Sequence, residues 1–432
     1  MTDWKTYKGQ GHWPSAKTAS KFGYGNNPRW VPKDAATDNH MPCGYWYDEL
    51  PYNYTYSVAL PSQTYRYVRI SADGQYILIG VETGSMDSNG GLYMSQDSGA
   101  TWSWSIPITA NREPTVLEQS TNGKCVVHAQ AGNSKTYISW DYGSNWSELR
   151  DLGLTLQTYE YAVQAGISAN GQYIVLVTPY KYYISSTYGA TWSIIPDSVG
   201  HYSVLVSGTG QYMEIDGDSL SSNYGSSWTS RASIHNMRRC IDNSGQYRIF
   251  GDRYGYEAYG KISYNYGASI TNWRTVVTNV WYPDTAVTVS TNGLCMAFVC
   301  QNDNTAGNLF ISRNGGISFT DTGLGLHTYS LYMSRIAMSS NGQYMAGFIG
   351  GKIIVSSNFG VSWTFAVTLT GLSGDFTSDA AMSADGQTQI VIGCGQLYLS
   401  GDYGVTWSKQ RITLTGSAVK QSVDNAVWPM PA

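Results

Sequence analysis

An eight-residue phrase with Ser first, Asp, Asn or Thr third, Gly fifth and an aromatic last recurs eight times along the 432 residues. The copies are SQDSGATW from Ser95, SWDYGSNW from Ser139, SSTYGATW from Ser185 and SSNYGSSW from Ser221. SYNYGASITNW from Ser263 reads as a copy with three residues inserted before Trp273, and SRNGGISF from Ser312 has Phe319 in the tryptophan place. SSNFGVSW from Ser356 and SGDYGVTW from Ser400 complete the set. The starting serines lie 44, 46, 36, 42, 49, 44 and 44 residues apart. A period of this size describes a stack of supersecondary units, each too small to bury its own core.

A second phrase runs in step with the first: SADGQY at Ser71, STNGKC at Ser120, SANGQY at Ser168 and SGTGQY at Ser207. NSGQY at Asn243, STNGLC at Ser290, SSNGQY at Ser339 and SADGQT at Ser383 follow. Asp-Gly or Asn-Gly between apolar runs signals a tight hairpin, and a type I′ turn would put both central residues at positive φ. Each repeat then reads as an A strand, a tight turn, a B strand such as YILIG, a variable loop, a C strand such as KIIVS, the octet, and a D strand beginning at the octet tryptophan. Four antiparallel strands per forty-odd residues predict an all-β chain, an eight-bladed β-propeller. A seven-bladed ring would require the short unit around Ser207 to Trp228 to be extruded.

The octet's third place holds Asp97, Asp141, Thr187, Asn223, Asn265, Asn314, Asn358 and Asp402. A general acid or a cation ligand would not survive replacement by a neutral amide in half its copies. What the three residue types share is a short side-chain oxygen that bonds nearby backbone N–H groups and fixes a turn. These eight residues are therefore expected to be structural, with the octet glycine left-handed and the aromatic packed between blades.

Ser-x-Asp-x-Gly-x-x-Trp on a C–D hairpin resembles the Asp-box, or bacterial-neuraminidase repeat, of sialidases, sortilin-type receptors, xyloglucanases and photosystem II assembly-factor propellers. The resemblance covers residues 65 to about 410 and implies the propeller fold, while the family hosts many functions. SSNGQY followed by IIVSSNFGVSW also resembles the Tyr/Ser/Asn-rich propeller proteins of large DNA viruses and phages.

The ring is expected over residues 61–416, with an irregular N-terminal docking arm at 1–60 and a tail at 417–432. TYSVAL (55–60) and KQRITLTG (409–416) both read as D-like strands, competing for the last blade or extending it to five strands. The arm carries Trp, Pro, Gly and Lys with neither strand nor helix period, and a segment so rich in aromatics has to pack on the ring, a sister subunit or another protein. A net charge of −4 with 13% charged residues and no basic stripe argues against nucleic acid as a partner. No apolar run reaches the roughly 18–20 residues of a spanning helix. The first residues lack the apolar core of a signal peptide, which suggests cytoplasmic synthesis and delivery in a virion or surface assembly.

Cofactors and metals have no sequence support. Cys125 and Cys295 occupy a place that is Tyr76, Tyr173, Tyr212, Tyr247 and Tyr344 in other repeats, and the remaining Cys and His residues show no zinc spacing. A sialidase-like site would require three arginines, a Tyr/Glu pair and an acid. Arg69, in TYRYVRISADG, is a partial match to the family's first arginine, and Arg238, Arg239 and Arg253 with Tyr256 and Glu257 could complete the cast. Glu82, Glu113, Glu160 and Glu257 leave an ordinary glycosidase pair open.

In an antiparallel blade the A–B turns and octets share one end, and the B–C and D–A loops share the other. All length variation falls at the second end, in loops such as VETGSMDSNGG, FGDRYGYEAYG and LGLTLQTYEYAV. Their Tyr, Asn, Ser and Gly suit recognition. The candidate binding residues are Tyr159, Tyr180, Tyr182, Tyr202, Tyr254, Tyr256, Trp281, Tyr282 and Tyr329. The resulting expectation is a non-enzymatic component of a virion or surface assembly. Its arm contacts other proteins and its loops contact proteins or host glycans. A sialidase- or xyloglucanase-type hydrolase and an intracellular assembly factor are the alternatives.

Overall fold

The eight repeats become eight four-stranded antiparallel sheets in the computed structural model, each built from four consecutive strands. The structure describes residues 19–22, 29–32, 58–59, 64–82, 91–107, 114–130, 135–149, 162–195, 203–216, 219–230, 238–254, 257–273, 285–300, 308–324, 335–349, 351–369 and 378–414. Blades 1 to 8 span 64–107, 114–148, 164–195, 204–230, 238–273, 285–321, 336–368 and 378–410. No unit is extruded, and the short fourth repeat forms a blade of its own from strands of three, three, three and two residues. Among the described residues there is no helix, and so none long and apolar enough to cross a membrane.

Each B strand is covered on both faces by its neighbours, which explains why it reads as an unbroken apolar run rather than an alternating one. Ile174–Val177, Met345–Ile349 and Gln389–Gly393 are buried at every position. The D strands form the outer rim and are largely exposed, as in Thr364–Thr368. The octet tryptophans sit where one blade meets the next. Trp146 packs with Leu78 and Leu92 of blade 1 and Val126 of blade 2, and Trp363 packs with residues of blades 6 and 7.

The A strands are innermost, each against the A strands of its two neighbours. Beside them runs a belt of backbone hydrogen bonds from A–B turn to A–B turn. Ala72 N donates to Thr121 O, Asn122 N to Ala169 O, Ala169 N to Gly208 O, and Thr209 N to Asn243 O. Asn243 N then donates to Thr291 O, Thr291 N to Ser340 O, Ser340 N to Ala384 O, and Ala384 N back to Ala72 O. There is one such bond per junction, and the last closes the ring at 2.7 Å.

The turn chemistry differs from expectation. In the A–B turns only the glycine has positive φ, for example Gly74 at 76°, and its N–H bonds Ser71 O. Paired positive φ values occur in the octets, as at Tyr142 (64°) and Gly143 (88°), closed by Ser144 N to Asp141 O, and in the blade 8 B–C turn at Cys394 and Gly395. The fifth octet also has no insertion. Its D strand, Thr271–Trp273, begins at the same offset from Ser263 as the other D strands do from their serines, so Ile270 fills the aromatic place and Trp273 lies on the D strand opposite Gly260. The two D-like segments do not compete. Blade 8 ends on its own Ser408–Gln410, while Val58–Ala59 pairs with Thr413–Leu414 in a separate two-stranded sheet.

Residues 60–412 form one compact unit, and 1–59 with 413–432 form a second. Within the second unit Ala19–Phe22 pairs with Arg29–Pro32.

Candidate functional site

The octet begins with a serine at the end of each C strand. In blade 2 the Ser139 hydroxyl donates to Asp141 Oδ1 (2.8 Å) and accepts from Gly143 N (2.9 Å). Asp141 Oδ1 also accepts from Asn145 N, and Oδ2 from Asn145 Nδ2. Partial burial works against ionisation of this carboxyl, but the bonds from Asn145 and Ser139 together hold it below the usual range. At Asp402 the bonds from Thr406 are the leading cause of the same shift. Where the residue is Asn, the amide turns to serve: Asn358 Oδ1 accepts from Ser356 Oγ and Ser362 N, and Nδ2 donates to Ser362 Oγ. Thr187 accepts from Thr191 N at 2.9 Å and exchanges a hydroxyl bond with Thr191. Each third-place residue is thus spent on its own turn. Among the described residues no group of three or more His, Cys, Asp or Glu could hold a metal ion.

The fourth octet place packs on the A–B turn of its own blade. Its N–H donates to the carbonyl of the residue just after the turn glycine, as in Tyr188 N to Gln172 O and Phe359 N to Gln343 O. This end of the ring therefore carries a circle of fourth-place side chains: Ser98, Tyr142, Tyr188, Tyr224, Tyr266, Gly315, Phe359 and Tyr403. All have positive φ. Four of the tyrosines pack on the turn tyrosine of the preceding blade: Tyr142 on Tyr76 (centroids 3.7 Å apart), Tyr224 on Tyr173 and Tyr266 on Tyr212 are stacked, and Tyr403 on Tyr344 is tilted by 35°. Tyr247 lies instead over Gly315. Cys125 and Cys295 are the counterparts of Tyr188 and Phe359. Tyr188, Tyr224, Tyr266, Phe359 and Tyr403 remain 40–46% exposed.

Two of the arginine candidates are committed elsewhere. Arg69 sits on the A strand of blade 1, where Nε and Nη2 bond Glu118 of blade 2 and Nη1 bonds Asp379 of blade 8. Burial opposes its charge, but those two carboxylates outweigh burial and keep it charged. Arg335 reaches the other oxygen of Asp379 at 3.5 Å. Arg239 bonds Glu214 and Asp216 O across the junction of blades 4 and 5. The FGDRYGYEAYG segment is strand rather than loop: Arg248–Tyr254 pairs with Glu257–Ser263 throughout, placing Arg253 opposite Ala258 and Tyr254 opposite Glu257.

Of the loop candidates, Tyr180 lies in the B–C turn of blade 3 and is exposed. Tyr182 does not lie in a loop. It begins the C strand of blade 3, is buried, and donates its hydroxyl to Asp216 of blade 4. Tyr254 ends a B strand. Tyr159, Tyr202, Tyr256, Trp281, Tyr282 and Tyr329 lie outside the described residues. The exposed octet aromatics are hidden in the sequence because the octet as a whole reads as turn chemistry. The available signal was an aromatic in six copies at a place where Gly315 satisfies the backbone.

No protein-family model matches the chain, and no curated protein matches it. Solved structures do. The Dos1 propeller superposes with a TM-score of 0.57 at 12% identity, covering 80% of this chain and 94% of that one. YCF48 bound to D1 peptide gives 0.47 at 12% identity over 82% and 98% of the two chains. The GH74 xyloglucanase from Xanthomonas campestris gives 0.32 at 13% identity, covering 79% of this chain and 63% of the enzyme. The likeness is one of fold: this chain is a β-propeller.

Proposed function

We propose that the protein is a non-enzymatic binding propeller of the Asp-box type, a structural or attachment component of a virion or surface assembly. In this reading, variable loops at the B–C and D–A end present the ring to a protein or glycan partner, and the N-terminal segment docks on neighbouring proteins. The observation that carries the reading is the state of Arg69. It is the residue closest to a sialidase carboxylate clamp, yet its guanidinium bonds two carboxylates and the Val68 carbonyl, which takes up the paired N–H groups a substrate carboxylate would need. The third-place carboxylates of the octets are likewise engaged by their own turns, which removes the repeated acids from chemistry. A neutral, Tyr/Asn/Ser-rich loop set suits recognition by ring stacking and amide hydrogen bonds.

The test is an assay of the purified full chain with fluorogenic sialosides and β-glucans, alongside a map of the native assembly. No turnover is expected, together with density joining the ring to other proteins. Turnover that vanishes in Glu257→Gln or Tyr256→Phe would replace this reading with a glycosidase.

A further inference from the structure

The fourth octet place poses an energetic problem. An L residue in the left-handed region costs on the order of 1–2 kcal/mol, least for Asn and Asp and nothing for Gly. Gly315 shows that glycine serves the turn, yet five tyrosines and Phe359 hold this conformation at φ of 57–64°. For Tyr142, Tyr224, Tyr266 and Tyr403, stacking on the preceding blade offsets the cost. Tyr188 and Phe359 lack that offset. Their counterparts are Cys125 and Cys295, and neither ring has an aromatic partner among the described residues. Their turns do not need the ring either, since the bonds from Trp140 Nε1 to Tyr188 O and from Arg313 Nε to Phe359 O use the backbone. Two exposed aromatics are kept at a strained position that the fold does not require.

We propose that the octet end of the ring is a carbohydrate-binding face, on which the fourth-place aromatics are stacking platforms for successive sugars of a neutral polysaccharide. The proposal rests on the non-enzymatic binding role read above but departs from it in place, giving the end opposite the B–C and D–A loops a ligand class and residues. A half-exposed ring offers one flat side, which is what the C–H face of a pyranose covers. Beside the platforms of blades 3 and 7 lie Gln172 and Gln343, partly exposed and joined to them through the backbone bonds from Tyr188 N and Phe359 N. Neutral amides on the same turns suit sugar hydroxyls. Of the ionised groups at this end, Asp97, Asp141 and Asp402 are used by their own turns and Arg313 Nε by Phe359 O, while Lys124 stands exposed in the blade 2 turn. The A–B turn and octet of blade 3 carry no charged residue, which favours a neutral ligand at Tyr188. Each platform is shallow, so one sugar would bind weakly. Repetition around the ring favours a polymer that reaches several platforms at once.

The test is affinity electrophoresis of the full chain in native gels containing hydroxyethyl cellulose, galactomannan or glycol chitin. Wild-type protein is expected to be retarded in at least one gel and not by the corresponding monosaccharide at equal mass. Tyr188→Asn and Phe359→Asn keep a residue that tolerates positive φ, so their melting temperatures should equal or exceed wild type. Their dissociation constants in the retarding gel should rise several-fold, and the double variant about tenfold or more. Ile194→Thr removes an exposed apolar side chain from the blade 3 rim and should leave retardation unchanged. Absence of retardation in all three gels overturns the proposal, as does wild-type retardation of the double variant, or loss of binding on Tyr180→Ala alone at the opposite end. None of these outcomes bears on turnover, so failure here leaves the non-enzymatic reading standing.

Discussion

At the residue scale, the octet is a device for holding two consecutive left-handed residues. Asp141→Asn is expected to change stability by less than about 1 kcal/mol, because Oδ1 still accepts from Ser139 and Asn145 while Asn145 can present its own oxygen to the new amide. Gly143→Val should cost well over that. Its Cβ would lie 3.0 Å from Leu78 Cδ2 at a φ of +88°, which a β-branched residue resists. Thermal midpoints of the two variants decide the matter, and equal shifts would contradict the turn-fixing role. His128 gives a second single-residue test. It is fully buried in blade 2, its Nδ1 lies 3.1 Å from Val116 O, and burial, opposed by that bond, lowers its pKa from 6.5 to about 4. The unfolded chain takes up a proton below pH 6.5 and the native ring does so only near 4. Stability is therefore lost as pH falls through that window, by about 3 kcal/mol for this group. His128→Phe should flatten the fall in melting temperature between pH 6.5 and 4.5.

At the scale of turns and strands, each junction matches an A–B turn residue with the fourth octet residue of the next blade. Tyr faces Tyr at four junctions and Tyr247 faces Gly315; by repeat position Thr388 corresponds to Ser98, and Cys125 and Cys295 to Tyr188 and Phe359. Cys125→Tyr should build a fifth ring pair with Tyr188 and raise stability by about 0.5–1.5 kcal/mol in chemical denaturation. A loss would mean that the blade 2 turn has closed over the thiol. That thiol is inert while the ring is folded, since burial pushes its pKa up to about 12, so a disulfide reagent should label it only after denaturation. The repeats made this level of structure legible, because a side-chain oxygen, a glycine and an aromatic at fixed offsets are local requirements. Legibility failed where a neighbour decides. Trp273 attracts the eye, but the strand offset gives the aromatic place to Ile270. Tyr182 looks like a loop tyrosine, but Asp216 of the next blade draws it inside. The FGDRYGYEAYG stretch looks like a loop because of its glycines and charges, whereas its backbone pairs to the tip.

At the scale of the ring, the belt of turn-to-turn bonds makes the eight junctions alike, and charged side chains set several of them apart. One is the closing seam, where Asp379 of blade 8 accepts from Val68 N and Arg69 of blade 1. Directly across the ring, between blades 4 and 5, Glu214 accepts from Arg248 at 2.6 Å and from Arg239 at 3.4 Å, with all three side chains almost wholly buried. Glu214 stands where other blades place Leu78, Val127, Val175 or Ile390, and Arg248 where they place Ile77, Val126, Met296 or Met345. A glutamate here fits only beside a blade that supplies the arginines, so the cluster fixes which blade follows which. Its contribution to stability is a separate matter, because desolvating three charges offsets much of their attraction. Glu214→Leu alone should destabilise the ring by about 3–5 kcal/mol, since it leaves two guanidinium groups buried without their carboxylate. Combining it with Arg239→Leu and Arg248→Met reproduces the residues of sister junctions, Leu117 and Met296 among them. That triple variant should recover to within about 1 kcal/mol of wild type or exceed it. Denaturant midpoints measure both. A triple variant as unstable as the single one would mean that this junction, unlike its sisters, is shaped for ions and cannot be repacked with aliphatic side chains.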